Sequence, residues 1–451
     1  MKVNKLMFRE YDIRGIFGDD ITEESSYLIG RAFASKMTKL GLNKVLLAYD
    51  NRLSSPLIEE NVLKGLIESG ITVYRLGLAT TPMCYFACNF YDVNCNLMIT
   101  ASHNPKEYNG FKSTYNGCFN TSGDEVRELY NIIEKEDFVN GNGQIIDCDI
   151  EEEYIKLLTD NIVLGDRKIK VVYDCGNGTT SIIADKIFSK LNIESIPLFN
   201  ESDGNFPNHH PDPCIEENLK DLKDAVIKNN ADLGIGFDGD GDRVGVVDEK
   251  GNMIDTDKYL IIMWKYLHDK VEKKETFFDV KCSTALEDEL NKLKIKSACT
   301  RPGFTKRESY ERDVPLGGEL AGHICYRDKF PGYDDGIYGG IRLIERLSHT
   351  NMPLSNLLDG INKYYSTKEL KIKVEDTKKF AIVEKVREYC DNKGYKYITV
   401  DGIKVKFDDG FALVRASNTG PNITMRYESR SEERLKIISD EFNNLLNELS
   451  K

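Results

Sequence analysis

One hydrophobic signature recurs along the chain: an apolar, β-rich run, a polar turn, a stretch with helical spacing of apolar positions, and a second apolar run. "NKVLLAYDNR" leads through "SSPLIEENVLKGLIESG" to "ITVYRLG". "KIKVVYDCGNGTT" leads through "SIIADKIFSKLN" to "IESIPLF", and "ETFFDVKCSTA" through "LEDELNKLKI" to "KSACT". Each is a β-α-β unit whose strands are apolar on both faces, as buried parallel strands are. The pattern predicts three similar mixed α/β domains in series, at residues 1–150, 151–253 and 254–366. Right-handed crossovers place the turns carrying Asp50, Asp174 and Lys281 at the carboxyl ends of strands, where open α/β sheets bind ligands.

The pattern changes near residues 362–370. A helical stretch, "KKFAIVEKVREYCDNKG", is followed by the short strands "YITVDG", "IKVKFDDG", "FALVRASNTG" and "ITMRYES", then by the helix "SEERLKIISDEFNNLLNEL". Asp401-Gly402 and Asp409-Gly410 are hairpin signals. Residues 367–451 therefore read as a separate α+β domain, and a length of 451 residues accommodates four domains.

The net charge of -13 argues against nucleic-acid and anionic-membrane partners, and no long basic patch offsets it. The opening "MKVNKLMFREYD" is charged where a signal peptide needs an apolar stretch, and no apolar run approaches a membrane span. A cytoplasmic location follows as the expectation. The eleven cysteines contain no Cys-x-x-Cys pair, which disfavours a disulfide scaffold or zinc ribbon and leaves reduced thiols serving as small apolar residues. The six histidines, including the adjacent His209 and His210, show no metal-ligand spacing.

The strongest chemical signal is "ADLGIGFDGDGDRVGVVDEKGNMI", in which Asp238, Asp240 and Asp242 are separated only by glycines. Hard oxygen ligands at alternate positions of a glycine-freed loop suit one small divalent cation, with Mg²⁺ the default. An EF-hand is excluded, because its sixth position is Arg243 rather than glycine and strand-like runs flank the loop where helices are required.

In "ITASHNPKEYNGFK" the neighbours Ser102 and His103 first suggest a nucleophile and its base in acyl transfer. No Gly-x-Ser-x-Gly elbow surrounds the serine, and an acidic metal loop followed by Arg243 fits phosphate chemistry better. Ser102 then accepts and returns a phosphoryl group, with His103 and Lys112 as proton shuttles. Taken alone, the same residues would only organise a turn ahead of Pro105. In "VRASNTGPNITMRYES", Arg415, Ser417, Asn418, Thr419 and Gly420 form a small polar loop suited to anchoring a phosphate monoester. In "PLGGELAGHICYRD", Glu319 sits between glycines with His323 following, a placement that suits hydrogen bonds from sugar hydroxyls.

In this order, "TASHNP", "DGDGDR", "GELAGH" and "RASNTGP" resemble the α-D-phosphohexomutases over essentially the whole chain. The last motif is most similar to the phosphomannomutase/phosphoglucomutase branch. Phosphoglucosamine mutases typically read Arg-Pro-Ser-Gly-Thr there and have alanine where Gly241 stands.

The resemblance implies three mixed α/β domains and a smaller, TATA-box-binding-protein-like α+β domain around a central cleft. It implies Ser102 as the phosphoserine, and Mg²⁺ on Asp238, Asp240, Asp242 and a phosphoserine oxygen. Glu319 would read the sugar, and Arg415, Ser417, Asn418 and Thr419 would hold the non-reacting phosphate. Tyr11 and Arg14, in "FREYDIRG", match the amino-terminal active-site segment, while Lys112 and Lys281 match active-site lysines. His323 joins the implied substrate contacts and Arg243 the catalytic set.

The implied reaction interconverts mannose or glucose 1- and 6-phosphates through a hexose 1,6-bisphosphate, which also serves as activator. Alternatives are a phosphoglucosamine mutase, a Mg²⁺-dependent sugar phosphatase and a non-catalytic sugar-phosphate binder. Two departures bear on substrate choice: Ala321 replaces a usual serine and Phe304 a common histidine.

Overall fold

The first recurring unit folds as the strand Lys44–Tyr49, the helix Ser55–Glu68 and the strand Thr72–Leu78. The fold comes from a computed structural model that describes residues 3–117, 119–375, 377–417, 420 and 422–450. The chain forms two compact units. One comprises Met1–Asp255, Thr305–Asp313 and Ala321–Leu357; the other comprises Thr256–Phe304, Val314–Leu320 and Leu358–Lys451.

In the first unit, six strands form a mixed sheet in the order Ile13–Ile16, Tyr108–Thr114, Asn96–Ile99, Lys44–Tyr49, Thr72–Leu78, Gln144–Asp147. The last four run parallel, while 108–114 and 13–16 are added antiparallel. A direct antiparallel return from 96–99 to 108–114 makes residues 100–107 a loop at the carboxyl end of a central strand. That loop carries Ser102.

The helix Glu23–Lys39 starts in a Thr22–Ser25 capping box and packs on Ser55–Glu68. The two backbones approach through paired glycines. A Cβ on Gly30 would lie 2.5 Å from the Val62 carbonyl, and one on Gly65 would lie 2.5 Å from that of Tyr27.

The unit's second sheet has the order Met253–Ile254, Val244–Asp248, Leu233–Phe237, Lys170–Asp174, Glu194–Leu198, with the last three strands parallel. Phe237 pairs antiparallel with Val244, so the acidic residues lie in the loop between two wholly buried strands, as their apolar flanks predict.

Two expectations are corrected. "SIIADKIFSKLN" does not form a full amphipathic helix but a 3-10 turn, Thr179–Ile182, and a short helix, Ala184–Phe188. Its start is tied elsewhere, with the Thr179 N–H donating to the Gly239 carbonyl at 2.9 Å. The return strands are not buried on both faces. Thr72–Leu78 is half-exposed, and Glu194–Leu198 and Lys296–Thr300, each paired on one side only, are exposed at two positions each.

In the second unit, Glu275–Asp279 pairs parallel with both Lys296–Thr300 and Leu316–Gly318. The carboxyl-terminal sheet is antiparallel, in the order Tyr365–Ser366, Asn422–Ser429, Gly410–Ala416, Ile403–Phe407, Tyr397–Ile398, with Leu370–Lys373 also on 422–429. The helices Lys379–Lys393 and Glu432–Leu449 supply Ile382, Val386, Ile438, Phe442 and Leu446 to a core built on Val405, Val414, Met425 and Tyr427.

The second hairpin turns one residue earlier than its Asp-Gly signal suggests. Phe407 pairs with Gly410, so Asp408 and Asp409 form the turn. Gly410 is needed for close approach, because a Cβ there would stand 1.9 Å from the Glu428 carbonyl.

Among the described residues, no helix is long and apolar enough to cross a membrane, and all ten cysteines are free thiols. Gly65→Ala should lower stability by about 1–3 kcal/mol, because the helix backbones cannot separate without disturbing a packed core. Thermal unfolding followed by circular dichroism tests this; an unchanged midpoint would show that the glycine contact is dispensable.

Candidate functional site

Ser102 is buried and adopts φ +50°, a left-handed conformation uncommon for a serine. Its N–H donates to Thr100 Oγ1 at 2.8 Å, and its Oγ donates to Asp238 Oδ2 at 2.8 Å, with His103 Nδ1 at 3.3 Å. The serine loop and the acidic loop therefore meet, although 136 positions separate the two residues. Gly239 permits the approach: a Cβ on it would lie 2.6 Å from the Ser102 carbonyl oxygen.

Asp238, Asp240 and Asp242 are all buried, and one carboxylate oxygen from each lies within 4.8 Å of the others. Burial, then the neighbouring Asp240 and Asp242, push Asp238 far above the usual carboxylate range. Burial and Asp240 likewise raise Asp242. Burial would raise Asp240, but the Lys112 ammonium together with hydrogen bonds from Lys112, Thr81 and Asp238 holds it below the usual range. Lys112 reaches from the strand Tyr108–Thr114, with its Nζ 2.7 Å from Asp240 and 2.5 Å from Asp242. Burial alone would lower Lys112, but Asp240 and Asp242 drive it well upward and keep it charged.

The donor set fits a small hard cation. Oδ1 of Asp240 and Oδ1 of Asp242 are buried without a hydrogen-bond partner, and the serine oxygen is already on the third carboxylate. Asp238 Oδ1 is oriented by the N–H groups of Gly241 and Arg243, at 3.0 and 3.1 Å. Thr81 Oγ1 donates to Asp240 Oδ2 at 2.5 Å.

Arg243 turns back so that its Nε lies 3.7 Å from Asp238 Oδ2 and donates to His323 Nε2 at 3.1 Å. His323 Nδ1 contacts Asp334 Oδ2 at 2.6 Å. Arg14, on the edge strand 13–16, donates to Asn104 Oδ1 at 2.9 Å and pairs with Asp12. Tyr11 lies just before that strand and is half-buried. Burial, reinforced by Arg243 and Arg14, holds His103 well below its usual range, so it is neutral at pH 7.

Within the second unit, Lys281 follows the strand Glu275–Asp279, with its Nζ 3.5 Å from Asp279. Burial opposes its charge, but Asp279, Glu369 and Glu319 raise it above the usual lysine range. Glu319 is buried after the strand Leu316–Gly318 and accepts from the Gly303 N–H at 2.8 Å. Arg415 Nε donates to Asp401 at 2.6 Å, and the Ser417 carbonyl accepts from Lys379 Nζ at 2.9 Å. Asn418 and Thr419 lie outside the described residues.

Thr81 and Arg52 were not legible as site residues. Arg52 is wholly buried beneath the serine loop, and its only sequence signal is its place two residues after Asp50, at the carboxyl end of a parallel strand.

Profiles of four domains match this chain in series. "Phosphoglucomutase/phosphomannomutase, alpha/beta/alpha domain I" matches residues 5–140, domain II residues 152–251, domain III residues 255–364 and the C-terminal domain residues 369–445. The chain belongs to the phosphoglucomutase/phosphomannomutase family. It is an enzyme of the phosphohexomutase class, and the expected succession of three α/β domains and a fourth, smaller one is borne out.

A Pseudomonas aeruginosa protein named phosphomannomutase/phosphoglucomutase is 38% identical over 442 residues, covering 98% of this chain and 95% of the relative. A Neisseria gonorrhoeae phosphoglucomutase is 37% identical over 446 residues, covering 98% and 96%. The crystal structure of a phosphoglucomutase/phosphomannomutase family protein from Burkholderia thailandensis is similar, with a TM-score of 0.92 and 34% identity over 99% of this chain and 98% of that one.

Gly239→Ala should separate the acidic loop from the serine loop and reduce kcat roughly 100-fold, the effect of an ångström-scale misplacement of reacting groups. Steady-state kinetics on the folded variant test this, and a full rate would show that the contact is not needed.

Proposed function

We propose that this enzyme interconverts hexose 1-phosphates and hexose 6-phosphates, of mannose or glucose, through a phosphoserine at Ser102 and a hexose 1,6-bisphosphate. The observation that carries this reading is the 2.8 Å contact between Ser102 Oγ and Asp238 in a buried acidic triplet.

Asp238, Asp240, Asp242 and a phosphoserine oxygen are the proposed Mg²⁺ ligands. Bound there, the cation supplies positive charge to the transferring phosphoryl oxygens. In the forward transfer, the bond from phosphorus to Ser102 Oγ breaks as one to a sugar hydroxyl oxygen forms. The hydroxyl proton must leave and the serine oxygen must regain one. Neutral His103, 3.3 Å from Ser102 Oγ, is the proposed proton carrier at the serine. His103 takes up the proton that leaves the sugar hydroxyl and returns it to the serine oxygen, while Lys112, held charged against the carboxylates, is the proposed hydrogen-bond donor facing the sugar, and Arg14 and Arg243 add positive charge.

Return of the other phosphate to Ser102 completes the cycle without net hydrolysis. Lys281, Glu319 and His323 are assigned to the sugar, together with Tyr11. Arg415 and Ser417, with Asn418 and Thr419, are assigned to the phosphate that is not reacting.

Ser102→Ala should lower mutase turnover on the order of 10⁴-fold or more while leaving sugar-phosphate binding measurable by calorimetry. Peptide mapping by mass spectrometry after incubation with glucose 1,6-bisphosphate should place one phosphate on Ser102. Absence of that mark, or stoichiometric release of inorganic phosphate in place of isomerised sugar, would overturn the proposal.

Chelation by EDTA should abolish turnover and added Mg²⁺ should restore it. Saturating Mg²⁺ at about 100 times its dissociation constant should also stabilise the fold by about 2.7 kcal/mol. Full activity in the chelated enzyme would contradict the assigned ligands.

A further inference from the structure

The geometry points to Arg52 as a positioning residue that holds the backbone of the serine loop in its reactive shape, an inference that rests on Ser102 being the phosphoryl carrier. Each N–H of its guanidinium has an acceptor. Nη2 donates to the carbonyls of Ser102 and Asn104, both at 2.7 Å. Nη1 donates to those of Pro105 at 2.6 Å and Tyr108 at 3.1 Å. Nε donates to Asp50 Oδ2 at 3.1 Å. The arginine side chain is fully buried.

Carbonyls from three positions of the loop and from the first residue of the following strand thus converge on one planar cation, which pins the peptide planes before His103 and after Asn104. Ser102 needs such a hold, because its φ of +50° carries a strain of about 1–3 kcal/mol that the surroundings must overcome. The pinned Ser102 carbonyl is also the atom that Gly239 admits at close range, so the hold on that oxygen sets where Oγ stands relative to Asp238.

Arg52 is itself held by Asp50 and by the ring of Phe206. Asp50 accepts from both its Nε and its backbone N–H, and Ser55 Oγ donates to the same carboxylate at 2.6 Å. The Phe206 ring centre lies 5.4 Å from its guanidinium carbon. The segment carrying Phe206 fits closely over residues 51–53, since a Cβ on Gly204 would lie 2.3 Å from the Asn51 carbonyl.

A lysine cannot substitute, because an ammonium has three donors without a planar fork and must leave carbonyls of the loop unmet. The test compares wild type, Arg52→Lys and Asp50→Asn as full chains with Mg²⁺ present.

In Arg52→Lys, kcat for mutase turnover should fall roughly 100-fold while KM stays within about threefold, as for a reacting group displaced by about an ångström. Asp50→Asn, which removes only the carboxylate that orients the guanidinium, should lose roughly tenfold in kcat. Crystal structures of the same variants should show the Ser102 φ relaxing to negative values and its contact with Asp238 lost in the lysine variant.

Unchanged kcat in folded Arg52→Lys, or an unmoved Ser102 in its crystal, would overturn the inference. If that variant does not fold, Asp50→Asn decides by the same two readouts. Failure of the mutase reading is separable, because it would leave wild type without turnover while the crystallographic comparison still reports on the loop.

Discussion

Three carboxylates that cannot escape one another dominate the chemistry of the first unit. Asp238, Asp240 and Asp242 are buried with oxygens within 4.8 Å, and their mutual repulsion together with lost hydration raises the first and third above the usual range. Such a cluster persists only where positive charge is built around it. Lys112 is that charge in this structure, spanning Asp240 and Asp242, while Arg243 turns back toward Asp238. The same imbalance makes the triplet receptive to a divalent ion, and the serine is attached to the one carboxylate that Lys112 does not touch.

The antiparallel additions to each sheet make this arrangement possible. Both the serine loop and the acidic loop join a central parallel strand to an antiparallel neighbour, so each is short and tethered at both ends. A crossover helix at either place would have left one end of the loop far from its start. Glycine at 239 then removes the one side chain that would keep the loops apart.

Much of this was legible before any coordinates. The centres of the strands 44–49, 170–174 and 275–279 are apolar at consecutive positions, 45–48, 171–173 and 277–278, and burial on both faces leaves that mark. The glycine-spaced aspartates advertise themselves because no packing demand produces such a pattern. The return strands misled because their apolar content is real while their position near or at a sheet edge leaves half of it wet. The Asp409-Gly410 signal was shifted because that glycine answers to the Glu428 carbonyl rather than to a left-handed turn. Arg52 was invisible for a different reason. Its partners are main-chain carbonyls, which every residue type possesses, and a lone arginine in a turn otherwise reads as solvated. The meeting of Ser102 with Asp238 depends on how two sheets stand together, which periodicity along a chain does not encode.

The long sequence interval between serine and acid has a bearing on biosynthesis. Local elements such as the 23–39 and 55–68 helix pair can assemble early, whereas a contact spanning 136 residues must await the far strands. A nascent polypeptide still short of its acidic loop therefore holds its serine without the buried carboxylate that the folded chain sets beside it. The pairing of that hydroxyl with its carboxylate cannot form until the growing chain has passed its midpoint.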